Sequence, residues 1–335
     1  MVVSRNPFLR RLVTVPALYL LFLAVTALLP LLLVLAVLAD SLRWAISRTP
    51  WIGTRLVLFL WVYLLGEAWA LPALAFVGLL PDRRALAATY ALQSTWVKWN
   101  LRAVVTFFDL SLEVEGDENL TPGPILVLSR HASLIDTLIP GFYISSAHGM
   151  RLRYVLKREL LVDPALDIAG SRLPNVFIDR GAASLEADSH ALADLARDLA
   201  PDEGLLIYPE GTRFSEQKRI AYVQRYERRG GQLGKIASGY RNVLPPRPSG
   251  TVALVEASQA DVIVLAHTGL EGFAHVADMW GGGLIGSEIQ VGFWRVPSET
   301  IPTGRAERVE WLFAVWSQVD AWIDQKRGTR LSREV

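Results

Sequence analysis

The residues Ser129-Arg130-His131-Ala132-Ser133-Leu134-Ile135-Asp136 set a histidine five positions before an aspartate, directly after the apolar run Ile125-Leu126-Val127-Leu128. A strand that ends at Arg130, followed by a helix opening near Ser133, folds the chain back on itself. That brings the Asp136 carboxylate to one imidazole nitrogen of His131. The other nitrogen is then an oriented general base facing solvent or substrate. A chain with five histidines also shows this spacing by accident, and a core histidine capped by an aspartate has the same signature. The pair therefore gains its weight from the residues that accompany it.

Three further stretches put charge directly after an apolar run, where a buried strand end leaves that charge in need of a partner. They are Val155-Leu156-Lys157-Arg158, Val176-Phe177-Ile178-Asp179-Arg180 and Leu206-Ile207-Tyr208-Pro209-Glu210-Gly211-Thr212-Arg213. Arg180 and Arg213 can offer planar forks to a phosphate. Gly211 permits a tight turn and a close backbone approach, and Thr212 adds a hydroxyl. Glu210 can accept from a substrate hydroxyl or hold an arginine in place. Competing readings stand beside these. Arg180 fits a structural ion pair with Asp179 or Glu210, and Lys157 fits a solvated strand end as well as a phosphate ligand. His148, His190, His267 and His275 make no H-E-x-x-H spacing; they are expected to be structural, and no metal site is expected.

Strands and helices must position these residues. Strand candidates are Leu110–Val114, Pro124–Ser129, Arg153–Leu156, Asn175–Ile178, Gly204–Tyr208, Asp261–Ala266 and Glu288–Trp294, with helical stretches between them, notably Ser184–Leu199. This alternation predicts an α/β fold: a mixed, largely parallel sheet flanked by helices, with ligands at the carboxyl ends of its strands. Residues 306–326 read as an amphipathic helix that docks on the core through Trp311, Val315, Val319, Trp322 and Ile323.

At 335 residues the chain can bury a sizeable core, and its net charge of +1 gives no global field for a nucleic-acid partner. Hydrophobic residues make up 51%, with the excess near the N-terminus. Two apolar runs, Leu12–Leu38 and Leu56–Leu80, are each long enough to cross a bilayer. A signal peptide competes for the first, but the run exceeds the usual apolar region and lacks a clear small-residue cleavage site. Arginines before, between and after the runs leave a spanning pair and an interfacial pair both open. Glu67, the one acid in the second run, is expected to turn toward the first helix. Residues 1–82 are thus expected to form a membrane-associated helical hairpin, and residues 83–335 an α/β domain with a C-terminal amphipathic helix. The absence of cysteine removes disulfides and thiol nucleophiles.

In order and separation, His131-x4-Asp136, Phe177-Ile178-Asp179-Arg180 and Tyr208-Pro209-Glu210-Gly211-Thr212-Arg213 resemble the motifs of the glycerolipid acyltransferases, over roughly residues 85–300. The 1-acylglycerol-3-phosphate acyltransferases and their lysophospholipid relatives are the most similar group. Val243-Leu244-Pro245-Pro246 stands where the family's fourth motif ends, and Arg247-Pro248-Ser249-Gly250 is similar to the branch that includes lysocardiolipin-type enzymes. The resemblance implies acyl transfer from an acyl-CoA or acyl carrier protein thioester to the free hydroxyl of a lysophospholipid, 1-acylglycerol-3-phosphate first. It implies no other cofactor and no covalent acyl-enzyme. His131 would be the base and Asp136 its orienting partner. Arg180, Glu210, Gly211, Thr212 and Arg213 would grip phosphate and glycerol, Lys157 would be a further phosphate ligand, and the Gly211 N–H a donor to the oxyanion. The basic cluster Lys218, Arg219, Arg225, Arg228 and Arg229 is either a solvated face or a rim for anionic headgroups or CoA phosphates. Partners would be membrane lipids, the lysophospholipid and the thioester donor, with no nucleic acid. The expected location is the cytoplasmic membrane, catalytic domain on the cytoplasmic face. Other acceptors, including other lysophospholipids and glycerol 3-phosphate, remain open, as does a non-catalytic lipid-binding role. A serine hydrolase lacks its Gly-x-Ser-x-Gly turn.

Overall fold

The computed structural model describes residues 6–178, 185–271, 273 and 275–333. The chain divides into two compact units: Met1–Leu110 with Val155–Ser184 and Met279–Ser287, and Ser111–Tyr154 with Leu185–Asp278 and Glu288–Val335. The boundary expected between residues 82 and 83 lies at the start of a helix that packs on the one before it and belongs to the first unit.

The first unit is built on α1 (Pro7–Ser47), α2 (Ile52–Val77) and α3 (Asp82–Phe108). Asn6 caps α1, its side-chain oxygen accepting from the Phe8 and Leu9 N–H groups, and Pro7 occupies the first turn, where no N–H is needed. Asp40 near the end of α1 caps α2 in turn, accepting from the N–H groups of Gly53 at 3.0 Å and Thr54 at 2.8 Å. Both α1 and α2 are long and apolar enough to cross a membrane, and α1 leaves Phe8, Leu12, Val13, Leu20 and Leu38 exposed. Glu67 turns to α3, not to α1: it is fully buried and accepts from Trp96 Nε1 at 2.5 Å. A buried carboxylate takes the nearest strong donor, and α3 carries one. Arg10 grips Asp167 through two bonds of 2.7 Å, which ties the start of α1 to α5 (Pro164–Arg172).

The seven strand candidates all fall on strands. Among the described residues these are β1 (Ser111–Glu115), β2 (Ile125–Ser129), β3 (Arg151–Lys157), β4 (Val176–Ile178), β5 (Glu203–Ile207), β6 (Asp261–Thr268) and β7 (Glu288–Val296). They form a sheet in the order β1-β7-β6-β2-β5-β3-β4. Every pairing is parallel except β6 with β7. β3 runs through both units: Arg151–Tyr154 pair with β5 in the second, and Val155–Lys157 pair with β4 in the first.

β2 is buried along its whole length, as a strand covered on both faces must be, which is why its sequence is continuously apolar rather than alternating. The second unit also contains α4 (Leu138–Pro140), α6 (Leu185–Ala196), α7 (Glu216–Arg229), α8 (Gly231–Ser238), α9 (Pro248–Ser258) and α10 (Arg305–Arg333). α9 packs on β2 and α10 on β6. The expected stripe on α10 is partly right. Val315, Val319 and Ile323 are buried, joined by Leu312, Phe313 and Trp316, while Trp311 and Trp322 are half-buried.

Candidate active site

β2 lies between β5 and β6, and the three run parallel. The loops that follow them therefore leave the sheet at one end, where α/β proteins bind ligands. The β2 loop carries His131 and Asp136, the β5 loop carries Tyr208–Arg213, and the end of β6 carries His267. A bond of 2.7 Å from the Phe214 N–H to the His131 carbonyl joins the first two loops.

Asp136 sits in a single 3₁₀ turn, Ile135–Thr137. Its Oδ1 lies 3.0 Å from His131 Nδ1. Its Oδ2 accepts from the N–H groups of Ala132 at 2.5 Å and Ser133 at 2.7 Å. The four-residue spacing lets the carboxylate cap its own loop and hold the imidazole at once. Asp136 is fully buried. Burial alone would raise its carboxyl, but His131 and His267 outweigh it and hold Asp136 well below the usual carboxylate range. Both oxygens accepting from nitrogen is the arrangement of an ionised carboxylate. His131 keeps 11% of its side chain exposed, its ring lies on Tyr208 with centroids 4.4 Å apart, and Nε2 has no hydrogen-bond partner among the described residues. A proton on Nδ1, donated to Asp136, leaves Nε2 as an accessible lone pair.

The structure brings Glu210, Gly211, Thr212 and Arg213 to this end of the sheet. Glu210 is fully buried. Its two oxygens accept from the backbone N–H groups of His131 at 3.3 Å and Leu244 at 3.2 Å. It therefore links the β2 loop, the β5 loop and the buried Val243–Pro246 segment. Burial pushes its carboxyl up to about 8, with Asp136 adding to the rise and Arg130 and the two N–H groups opposing it. Gly211 has φ +68°, and a Cβ there would meet Arg247 at 3.0 Å, so the turn favours glycine. Its N–H donates to Tyr208 O at 2.9 Å and is thus engaged within the turn. Lys218 Nζ donates to Thr212 Oγ1 at 3.1 Å and to Arg213 O at 2.9 Å, holding the loop. Arg213 Nη1 is buried with no hydrogen-bond partner among the described residues. Lys157 ends β3 in the first unit, and Arg180 falls outside the described residues. Of the basic cluster, Arg219 pairs with Glu216, while Arg225, Arg228 and Arg229 are exposed on α7.

A raised carboxyl at Glu210 has a stability consequence. Its contribution is full below the unfolded value near 4 and is lost as pH rises toward 8, at no more than about 1.4 kcal/mol per pH unit. Glu210→Gln turns an NH2 toward one of the two N–H donors, so it should destabilise the fold by about 1–3 kcal/mol. The gap from wild type should be widest near pH 5 and narrow toward pH 8 in thermal melts of detergent-solubilised protein. A gap that is constant with pH would contradict the raised value.

Two residues at the site escaped the sequence reading. Arg130 is fully buried: Nη1 donates to His267 O at 2.6 Å, Nη2 to Asn242 O at 2.6 Å, and the guanidinium pairs with Glu271. Glu271 is held well below the usual carboxylate range, since Arg130 and Arg327 outweigh its burial. A charge directly after a buried strand was the available signal, and Arg130 has it as plainly as Arg180. His267, expected to be an ordinary structural histidine, stands 3.4 Å from Asp136 Oδ2.

Comparison with known proteins finds similarity to acyltransferases. Residues 111–267 match the family model for the acyltransferase domain. The 1-acyl-sn-glycerol-3-phosphate acyltransferase of Pseudomonas aeruginosa is 31% identical over 149 residues, which cover 43% of this chain and 48% of that protein. The match thus spans about half the length of that curated relative. Among solved structures, the 1-acyl-sn-glycerophosphate (LPA) acyltransferase of Thermotoga maritima aligns with a TM-score of 0.52 at 16% identity, covering 81% of this chain and 96% of that one. That likeness is one of fold. By family model and by sequence, residues 111–267 and the stretch around them are similar to acyltransferases.

Proposed function

We propose that this chain is a membrane-bound acyltransferase that moves an acyl chain from a thioester, acyl-CoA or acyl carrier protein, to the free hydroxyl of 1-acyl-sn-glycerol 3-phosphate, giving phosphatidic acid. The observation that carries the reading is the His131 Nδ1 to Asp136 Oδ1 contact of 3.0 Å, with Nε2 left accessible. His131 Nε2 takes the acceptor's hydroxyl proton while that oxygen attacks the thioester carbonyl carbon. Collapse of the tetrahedral adduct breaks the carbon–sulfur bond, and the imidazolium returns the proton to the leaving thiolate. The products are one ester and one thiol. No residue forms a covalent intermediate, consistent with a chain that has no cysteine. Asp136 fixes the tautomer and stabilises the imidazolium.

Arg213 is the phosphate ligand best supported, by its unpartnered buried Nη1. Glu210, Gly211 and Thr212 complete the proposed acceptor site on the second unit, Glu210 through the backbone it holds; Lys157 and Arg180 are proposed as phosphate ligands on the resemblance alone. Arg213→Lys replaces a fork with a point charge and should raise the acceptor KM about tenfold, with little change in kcat. An unchanged KM for every phosphate-bearing acceptor would remove Arg213 from this role.

The apolar helices α1 and α2 support attachment to a bilayer, which we take to be the cytoplasmic membrane with the catalytic residues on the cytoplasmic face. The test is acyl transfer by membranes containing the protein against a panel of lysophospholipids and glycerol 3-phosphate, each with CoA and carrier-protein donors. Phosphatidic acid should be the dominant product. Preference for a different acceptor would reassign the substrate, and no acceptor-dependent thiol release would end the acyltransferase reading.

A further inference from the structure

The apolar run of β6 ends in a polar ring that the sheet buries completely. His267 lies two residues past Leu265, whose ladder partner is Ser129 at the end of β2. Its Nε2 is 3.3 Å from the Arg130 carbonyl oxygen and 3.4 Å from Asp136 Oδ2. Both neighbours can only accept, so Nε2 is the nitrogen that carries hydrogen. The contact is reciprocal, because Arg130 Nη1 donates to the His267 carbonyl at 2.6 Å. Nδ1 is buried with no hydrogen-bond partner among the described residues. The ring's hydrogen bonding is therefore all at the end that faces His131 and Asp136. An apolar side chain would suit this position better on packing grounds alone.

We propose that His267 is a positioning residue for the His131–Asp136 pair, sharing its Nε2–H between Asp136 Oδ2 and the Arg130 carbonyl. The proposal rests on the general-base reading of His131. The two N–H donors on Oδ2 from Ala132 and Ser133 belong to the same loop as Asp136 and move with it. His267 comes from a neighbouring strand, so it fixes the carboxylate to the sheet, and through Arg130 it fixes the strand end from which His131 springs. It also takes up part of the carboxylate's charge. Without it, more of that charge is left to stabilise a protonated His131. The charged and titratable groups around this centre are His131 and Arg130 from β2, Tyr208 and Glu210 from the β5 loop, and Glu271 from the loop after β6. None of them replaces the donor on Oδ2 that His267 provides.

The experiment compares wild type, His267→Leu and His267→Gln in the full chain in membranes. Leucine removes the donor, whereas glutamine places an amide N–H close to the position of Nε2. His267→Leu should lower kcat by about 10- to 100-fold, the range for losing a hydrogen bond to a charged group, with the acceptor KM unchanged. The acidic limb of its kcat/KM profile should move up by about half a pH unit or more. His267→Gln should stay within about threefold of wild type, with the limb in its original place. Modification of His131 by diethyl pyrocarbonate, read by peptide mass spectrometry across pH, should shift in the same direction without any turnover. A leucine variant with wild-type kcat and an unmoved limb would overturn the proposal, as would a glutamine variant no better than leucine. If leucine does not fold, glutamine is compared with His267→Asn, whose amide does not reach Nε2: equal activities would then overturn it. Wild type without acyl transfer, but with His131 modification that still responds to residue 267, would instead count against the proposed function alone.

Discussion

Replacing His131 by alanine is expected to reduce acyl transfer by about 10²–10⁴-fold, the span that general-base catalysis contributes, while the protein still folds and stays with the membrane. The ring is at the surface end of the sheet and keeps part of its side chain exposed. Its removal takes one ring contact from Tyr208 and leaves the β2–β5 and β2–β6 ladders intact. Under the proposed mechanism the loss falls on kcat, since the imidazole would act on a proton in flight and not on the acceptor's phosphate. Turnover, thermal melting and membrane retention measured on the same preparation separate chemistry from folding. Near-normal turnover in folded His131→Ala would end the general-base assignment.

The second large effect is at Asp136. In Asp136→Asn one oxygen becomes an NH2 group. The Ala132 and Ser133 N–H groups both need an acceptor, so the amide oxygen should stay with them and the NH2 should face His131 Nδ1. That forces Nδ1 to accept and puts the imidazole proton on Nε2, where the lone pair is needed. The expected cost is about 10³–10⁴-fold in kcat, the order associated with a wrong tautomer. Because both changes disable one unit, the His131→Ala, Asp136→Asn double variant should be little worse than either alone. Multiplicative losses would mean that the two residues act separately.

The elements were legible where one dimension carries the physics. The strands are short apolar or alternating runs, such as the continuous β2 and the alternating β1, and each found its place in the sheet. The bend at His131–Asp136 was legible because the partner is local: a carboxylate four residues past Ala132 can cap the intervening turn. Partners across the sheet were not. His267 lies 131 positions after Asp136, and nothing in its neighbours marks β6 as the strand beside β2. Arg130 was passed over for the same reason, since its partners His267, Asn242 and Glu271 are all distant in sequence. Glu210 was recognised as important, but the sequence offered a substrate hydroxyl or an arginine as its partner, whereas the fold gives it two backbone N–H groups. The Gly211 N–H, expected to face an oxyanion, closes the turn onto Tyr208. Glu67 illustrates the same limit in the helical unit: length and hydropathy locate the helix, but not which neighbour its one acid meets.

The most direct test of the account follows the acyl label through a single turnover. The protein in membranes is mixed with acyl-labelled thioester, with and without 1-acyl-sn-glycerol 3-phosphate, then quenched. Free thiol, lipid product and protein-bound label are measured together. The account predicts one thiol released per phosphatidic acid formed, little release without acceptor, and no label on the protein at any time. Label bound covalently to the protein, or equal thiol release without acceptor, would contradict direct transfer to a hydroxyl activated by His131.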